Sequence, residues 1–335
     1  MDLPSVSVVV PAYNAQQTIS HAIQSLVSQS YTGDIEILIV DDGSTDKTQQ
    51  IVRSFREVRY VRQENAGPAA ARNRGASDSK GEIILFTDSD CIPHRDWVEK
   101  IVGGFSSDGT GAVCGSYGIA NPENILARCI HQEIMFRHRF LMPSYPKAFG
   151  SYNVAVRRAV FFGVGGFDET YRRASGEDND LSYRIIKSGR RIFFVKDALV
   201  DHYHTTRAGK YLSEQFRHGF WRAKMYFDHP GMARGDDYTF WKDIVEVPLV
   251  GFSCVVFLFA LAGLTSLGFL FLFIIIPFLV FEIYFASVMC GGINSNFYFG
   301  FIMFFRAFAR CFGLSTGIFN FMIIKIKKRE EKKPK

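Results

Sequence analysis

Asp88-Ser89-Asp90 places two carboxylates one residue apart, directly after the apolar run Ile83-Ile84-Leu85-Phe86-Thr87. A short run of β-branched and aromatic residues predicts a buried parallel strand. The carboxyl end of such a strand is where open α/β sheets bind ligands. Two like charges there gain nothing for the fold, so they need a cation or a polar ligand. A divalent ion carrying a diphosphate meets that need, because Mg²⁺ and Mn²⁺ take one or two carboxylates plus phosphate oxygens. By itself the pair is equally an ordinary surface turn.

Three more clusters of polar residues end three more apolar runs. Pro11-Ala12-Tyr13-Asn14 follows Ser5–Val10, and Asp41-Asp42-Gly43-Ser44 follows Ile35–Val40. Glu64-Asn65-Ala66-Gly67-Pro68 follows Val58–Val61, with Arg72 and Asn73 one turn further on. Asp41-Asp42-Gly43 alone is a turn, and Arg72 alone is a solvated helix residue. Together on one sheet edge they offer an aromatic ring, an acid for a base N–H, an arginine for phosphate and a metal-binding pair. That set describes a nucleotide-diphosphate site.

The elements that would position these clusters alternate. Between the four strands lie helices at about Ala15–Gln29, with apolar residues at helical spacing, from a Ser44 or Thr45 cap to Phe55, and after Gly67-Pro68. A helix near Trp97–Phe105 and a strand near Ala112–Tyr117 follow. This β-α-β order predicts an α/β fold, a parallel twisted sheet with helices on both faces.

In their order and spacing the segments Val6–Asn14, Ile39–Asp46, Ala71-Arg72-Asn73-Arg74-Gly75 and Phe86–Asp90 resemble the inverting family 2 glycosyltransferases, over about Ser5–Tyr226. The resemblance implies a GT-A nucleotide-diphospho-sugar transferase fold, a nucleotide-diphospho-sugar donor and a divalent Mn²⁺ or Mg²⁺. It implies that Pro11, Tyr13, Asn14 and Ser89 line the donor site, that Asp41 or Asp42 contacts the nucleobase, and that Arg72 lies near base or diphosphate. Asp88 would touch ribose and metal, and Asp90 would ligate the metal.

Gly165-Gly166-Phe167-Asp168-Glu169 and Gly176-Glu177-Asp178-Asn179-Asp180-Leu181 are also similar to that family, whose first Asp of the second motif serves as general base. Displacing a nucleotide diphosphate with inversion needs a carboxylate to take the acceptor hydroxyl's proton. Crowding among Glu177, Asp178 and Asp180 raises one pKa, which suits a base; an acidic helix N-terminus explains the same residues without chemistry. Asp178 is the expected base, with Glu177 second. His202 or His204, after the strand Ala198–Asp201, would complete the metal site. Asn153 and Trp221 are candidates for the acceptor side. Processive synthases of the family carry Gln-x-x-Arg-Trp, and Gln215-Phe216-Arg217-His218-Gly219 departs from it. Members that add one sugar fit better.

The 335 residues exceed one α/β domain of about 200 to 250 residues. Residues 1–230 are expected to form the transferase domain, with 1–118 as its nucleotide-sugar half and 119–230 as its acceptor and catalytic half. Residues 245–290 read as two transmembrane helices, about Val247–Gly263 and Leu267–Met289, since a span needs roughly 20 apolar residues. No signal peptide is expected at the short Val6–Val10 run. Residues 297–324 read as an amphipathic helix in the membrane interface, with Arg306 and Arg310 toward lipid phosphates. The 325–335 tail has seven Lys or Arg against Glu330 and Glu331, which is +5 of the chain's +6. The basic excess is thus local, argues against nucleic acid as a partner, and puts the tail and the transferase domain on the cytoplasmic side of the inner membrane. Six scattered cysteines read as reduced packing residues. Ile125–Met142 is amphipathic and suits a membrane surface or an acceptor cleft.

The expected activity is an inverting, metal-dependent transfer of sugar to a lipid-linked or glycan acceptor at the membrane. A sugar-nucleotide pyrophosphorylase would open with a Gly-rich loop in place of Pro11–Asn14. A non-catalytic scaffold would be expected to have lost part of the acidic set, and two spans make a poor channel for a processive polysaccharide synthase.

Overall fold

The computed structural model describes residues 3–106, 109–173, 175–231, 237 and 239–331, with side chains as far as Lys325. In chain order the elements are β1 (Val6–Ala12), α1 (Ile19–Val27), β2 (Ile35–Asp41), α2 (Thr48–Val52), β3 (Arg59–Arg62), α3 (Pro68–Asp78), β4 (Ile83–Thr87), β5 (Cys91–Pro93) and α4 (Trp97–Gly103). They continue as β6 (Thr110–Ile119), α5 (Ile125–Leu141), β7 (Asn153–Arg157), α6 (Arg158–Gly163), α7 (Glu177–Lys187), β8 (Arg191–His202), α8 (Ala208–Asp228), α9 (Trp241–Leu261), α10 (Ser266–Met289) and α11 (Ile293–Glu331). Two compact units result: one from the chain up to Asn121 together with Met142–His204, the other from Pro122–Leu141 and the chain from Thr205 onward. The expected 119–230 half therefore does not hold together as one piece. Its helices α5 and α8 pack with the apolar C-terminal helices.

In the first unit, eight strands form one sheet in the order β3-β2-β1-β4-β7-β6-β8-β5. β1 and β4 are buried along their whole length, and apolar but for Ser7 and Thr87, because both faces are covered. Val8, Val10 and Leu85 face Ile19, Ile23 and Trp97 on one side. Val9, Ile84 and Phe86 face Ala69, Leu181 and Ile185 on the other. Each such fully buried side chain contributes about 1.5–3 kcal/mol. The first four strands are parallel, as the sequence pattern predicts. The rest of the sheet is mixed: β7 runs antiparallel to β4 and β6, while β8 is parallel to β6 and antiparallel to β5. The short β7 enters the middle of the sheet after a long excursion through α5, so no βαβ crossover sets its direction.

In the second unit, α9, α10 and the Ile293–Lys325 stretch of α11 are each long and apolar enough to cross a membrane. A third helix thus qualifies where the sequence pattern predicts one lying in the interface. The picture of arginines reaching for lipid is corrected: Arg306 is 1% exposed and donates to Glu133 at 2.6 Å and to the Tyr211 hydroxyl at 3.1 Å. Arg310 meets Gln215, Asp243 and Glu246. α8 lies close on α11, for a Cβ at Gly313 or Gly317 would stand 2.0 or 2.4 Å from the carbonyl oxygen of Phe216 or Phe220. Of the basic tail, Lys325 alone has a described side chain; the rest lies outside the described residues in that respect.

Candidate active site

β4 ends at Thr87, and Asp88-Ser89-Asp90 turns the chain into β5. β5 pairs with β8 so that Cys91 stands opposite His202. This register brings Asp90 and His202 together, with His202 Nε2 3.6 Å from Asp90 Oδ1. Ligand atoms of Asp90, Cys91 and His202 all lie within 4.8 Å of one another. Burial, then the Asp90 and Asp88 carboxylates, push the Cys91 thiol up in the absence of a cation. A carboxylate and an imidazole beside a second carboxylate make a donor set that a divalent ion such as Mn²⁺ accepts.

Among the described residues His204 is not part of this cluster, and its backbone N–H and carbonyl both bond the Asn121 amide. The His202 ring is 4.8 Å from that of His204 and lies edge-on to Tyr117 at 5.9 Å. Tyr117 stacks on Tyr152 at 3.7 Å. These two tyrosines escape sequence reasoning because only the pairing of β6 with β8, and of β7 with β6, brings them to the histidine.

The other strand ends are tied together by their own polar groups. Asp41 is fully buried, accepting from Ser44 N–H at 2.8 Å and from the Tyr60 hydroxyl at 2.6 Å. That bond and burial push the Tyr60 phenol up to about 12, burial being the larger cause. Asp42 accepts from Gln63 and from the N–H groups of Ala66 and Gly67. Both carboxylates therefore shape the loops that follow β2 and β3. Asn14, at φ 49°, donates its N–H to Ser44 Oγ and accepts from Thr45 N–H. Ser44 thus braces the loop after β1 and does not cap α2, which begins later, at Thr48. Pro11 is buried at the end of β1, whereas Tyr13 is 54% exposed and Ser89 half-buried.

Arg72 on α3 is 1% exposed, and its guanidinium joins Asp88 at 2.6 Å to Glu177 at 3.0 Å. Gly176, at φ 100°, admits the chain to α7 in a left-handed conformation that favours glycine. Glu177 is buried, and its other oxygen accepts from Ser175 N–H at 2.7 Å. Both of its oxygens are thus engaged. Asp178 is half-buried. Burial, and then the Glu177 carboxylate, push its carboxyl up to about 7, against the opposing Arg72 charge. Asp180 instead pairs with Arg184 one turn along the helix.

The two acceptor candidates have partners of their own. Asn153 is buried, donating to the carbonyls of Ser116 and Ala198 and accepting from Trp97 Nε1, so it staples strands and has no free group for a substrate. Trp221 belongs to the second unit, where its ring meets Phe220 and Phe321.

Residues 7–164 match the family model of glycosyl transferase family 2, and residues 131–208 that of the N-terminal domain of galactosyltransferase. The chain is 31% identical over 223 residues to glycosyltransferase AglE of Haloferax volcanii, covering 65% of this chain and 72% of that protein. It is 30% identical over 235 residues to the pre-mycofactocin glycosyltransferase of Mycobacterium tuberculosis, covering 67% of this chain but 48% of that one. Against the probable glycosyltransferase YdaM of Bacillus subtilis it is 32% identical over 218 residues, 59% of this chain and 50% of the other. The chain thus spans about half the length of the latter two. In fold it is similar to the mannosyltransferase PcManGT from Pyrobaculum calidifontis, solved with GDP-Man and Mn²⁺ (TM-score 0.52, 23% identity, 67% of this chain and 64% of that one). The shared fold is GT-A.

Proposed function

Because the chain belongs to the family 2 glycosyltransferases, we propose that it moves one sugar, with inversion, from a nucleotide diphosphate to a membrane-borne acceptor. The acceptor class is a polyprenyl-linked glycan or a glycolipid, for use in cell-surface polysaccharide or glycolipid synthesis. The observation that carries this reading is the Arg72 guanidinium gripping Asp88 and Glu177 together. Through it the helix bearing Asp178 begins beside the turn bearing Asp90.

Asp90 and His202, with Asp88, would hold the Mn²⁺ or Mg²⁺. That ion, when bound, neutralises the departing diphosphate. Asp178 accepts the proton of the acceptor hydroxyl as the hydroxyl oxygen bonds to the anomeric carbon. The bond from that carbon to the diphosphate oxygen breaks, and its electron pair leaves with the nucleotide. A carboxyl near 7 is divided between acid and base at neutral pH, so it can take a proton there and lose it afterwards. Burial of Arg72 and Glu177 fixes the base and keeps water from them.

Three long apolar helices support a membrane location. A tethered catalytic unit meets lipid-borne acceptors at raised effective concentration. With α9 and α10 spanning and α11 kept on the side of α8, against which it packs, the Lys- and Arg-rich sequence beyond Ile324 and the catalytic unit share the cytoplasmic face of the inner membrane. The test is nucleotide release from a panel of nucleotide sugars by detergent-solubilised protein. Transfer should be lost in Asp90→Ala and in Asp178→Ala, with donor binding retained in the second. Full activity in both variants would sink the reading.

A further inference from the structure

The observed partners of Arg72 run against its expected task. As a ligand of the diphosphate it would need donors facing the donor site. Its two terminal nitrogens are instead given to Asp88 and Glu177, and its Nε is buried with no partner among the described residues. The ring of Phe167 lies 5.5 Å from the guanidinium.

Three segments meet at this one group. Arg72 stands on α3, Asp88 in the turn after β4 and Glu177 in the first turn of α7. Asp88 is 16 residues away in sequence and Glu177 is 105. A guanidinium is planar, with its N–H groups in a fixed fork, so two carboxylates bound to it are held at a set separation. Turning Arg72 toward a diphosphate would abandon one of them, and Glu177, 2% exposed, would be left charged without its partner. Asp88 differs, for its side chain is 28% exposed and keeps an oxygen for other partners.

We infer that Arg72 is a positioning residue that locks the metal-binding turn to the start of α7, setting Asp178 in register with the donor, and that it is not a ligand of the diphosphate. This rests on the glycosyl-transfer reading and adds to it the part that aligns donor and base. Alignment of this kind is felt in turnover more than in binding, because a displacement of about 1 Å costs on the order of 10²-fold in rate.

Arg72→Lys separates the two roles. Lysine keeps the positive charge but is a single point donor that cannot grip both carboxylates in a fork. Two quantities are read: the Kd of UDP and GDP with Mn²⁺ by titration calorimetry, and kcat at saturating nucleotide sugar. Positioning predicts a Kd within about threefold of wild type and a kcat lower by about 10²-fold. A Kd weakened tenfold or more with kcat unchanged would make Arg72 a donor ligand and overturn the proposal.

Should Arg72→Lys fail to fold by circular dichroism, Glu177→Gln carries the same test from the other side. It keeps an oxygen for Arg72 and removes the charge, so nucleotide binding should persist while kcat falls. Weakened nucleotide binding at unchanged kcat overturns the proposal here too. Wild-type protein that neither binds these nucleotides nor releases any from a nucleotide sugar would remove the glycosyl-transfer reading and this proposal with it. Wild-type turnover with the reversed variant pattern removes the proposal alone.

Discussion

Two buried charge clusters, one in each unit, are built from the same residue types to opposite ends. In the first unit a single cation, Arg72, faces Asp88, Glu177 and Asp178. In the second, Arg137, Lys242, Arg306 and Arg310 face Glu133, Asp243, Glu246 and Glu282. The first cluster is short of positive charge, and burial together with Glu177 lifts Asp178 to about 7. The second is balanced. Burial alone would raise Glu133, but Arg306 and Arg137 hold it well below the usual carboxylate range. Imbalance makes a carboxyl that trades protons near neutrality, whereas the arginines around Glu133 keep it charged and tie its helix to α11.

The largest break in this contrast is Asp178→Asn. Loss of a general base lowers kcat by about 10²- to 10⁴-fold, read as sugar transfer at saturating donor. The same change should stabilise the protein at alkaline pH. A carboxyl whose pKa is raised on folding binds its proton more tightly in the native state, so its contribution is greatest below its unfolded value and is lost as pH rises to about 7. Asparagine does not ionise. Thermal unfolding should therefore show the variant gaining on wild type between about pH 4 and pH 7. Equal curves at pH 8 would mean that Asp178 is not strained.

Next comes Arg306→Leu in the balanced cluster. Removing one partner of a buried pair costs about 3–5 kcal/mol. The lower end applies, because Arg137 still faces Glu133. A lowered Tm in detergent, with kcat per folded molecule retained, is expected. Unchanged stability would show that the second cluster is not structural.

How far this contrast could be read from the sequence depends on distance along the chain. The strand Ile83–Thr87 and the acidic turn after it are local, because an apolar run and its polar stop are adjacent, and they fold as the pattern predicts. The first three strands and their helices follow the same logic. β7 does not, since five residues in mid-sheet carry no period long enough to show their direction. Asn153 reads as a polar residue near a site, yet its amide is spent on partners 37 to 56 residues away. Arg72 with Glu177 and Arg306 with Glu133 are separated by 105 and 173 residues, and no local spacing announces such pairs. The acids and cations of chemistry are thus legible as types, while the pairs they form are not.

A smaller effect asks whether charge or close packing holds the second unit. Gly313→Ala puts a methyl 2.0 Å from the Phe216 carbonyl oxygen, so α8 must move away from α11. Overpacking of this kind costs about 1–3 kcal/mol. A Tm drop smaller than that of Arg306→Leu is expected, and the reverse order would make packing the stronger lock.

The smallest expected effect is also the sharpest test of imbalance. Glu177 is the second cause of the raised Asp178 carboxyl, after burial. Glu177→Gln removes that cause and leaves burial in place, so the carboxyl should fall below about 7 while staying above the ordinary carboxylate range. The base works ionised, so turnover rises with pH through its pKa, and a lower pKa carries the rising limb to lower pH. Relative to its own plateau, the variant should retain more of its rate at pH 6 than wild type does. Asp180→Asn serves as the control, because Asp180 is committed to Arg184 and should leave the limb where it is. A limb that moves equally in both variants would trace the shift to general negative charge at the start of α7, and the setting of one arginine among three acids would lose its special part in the chemistry.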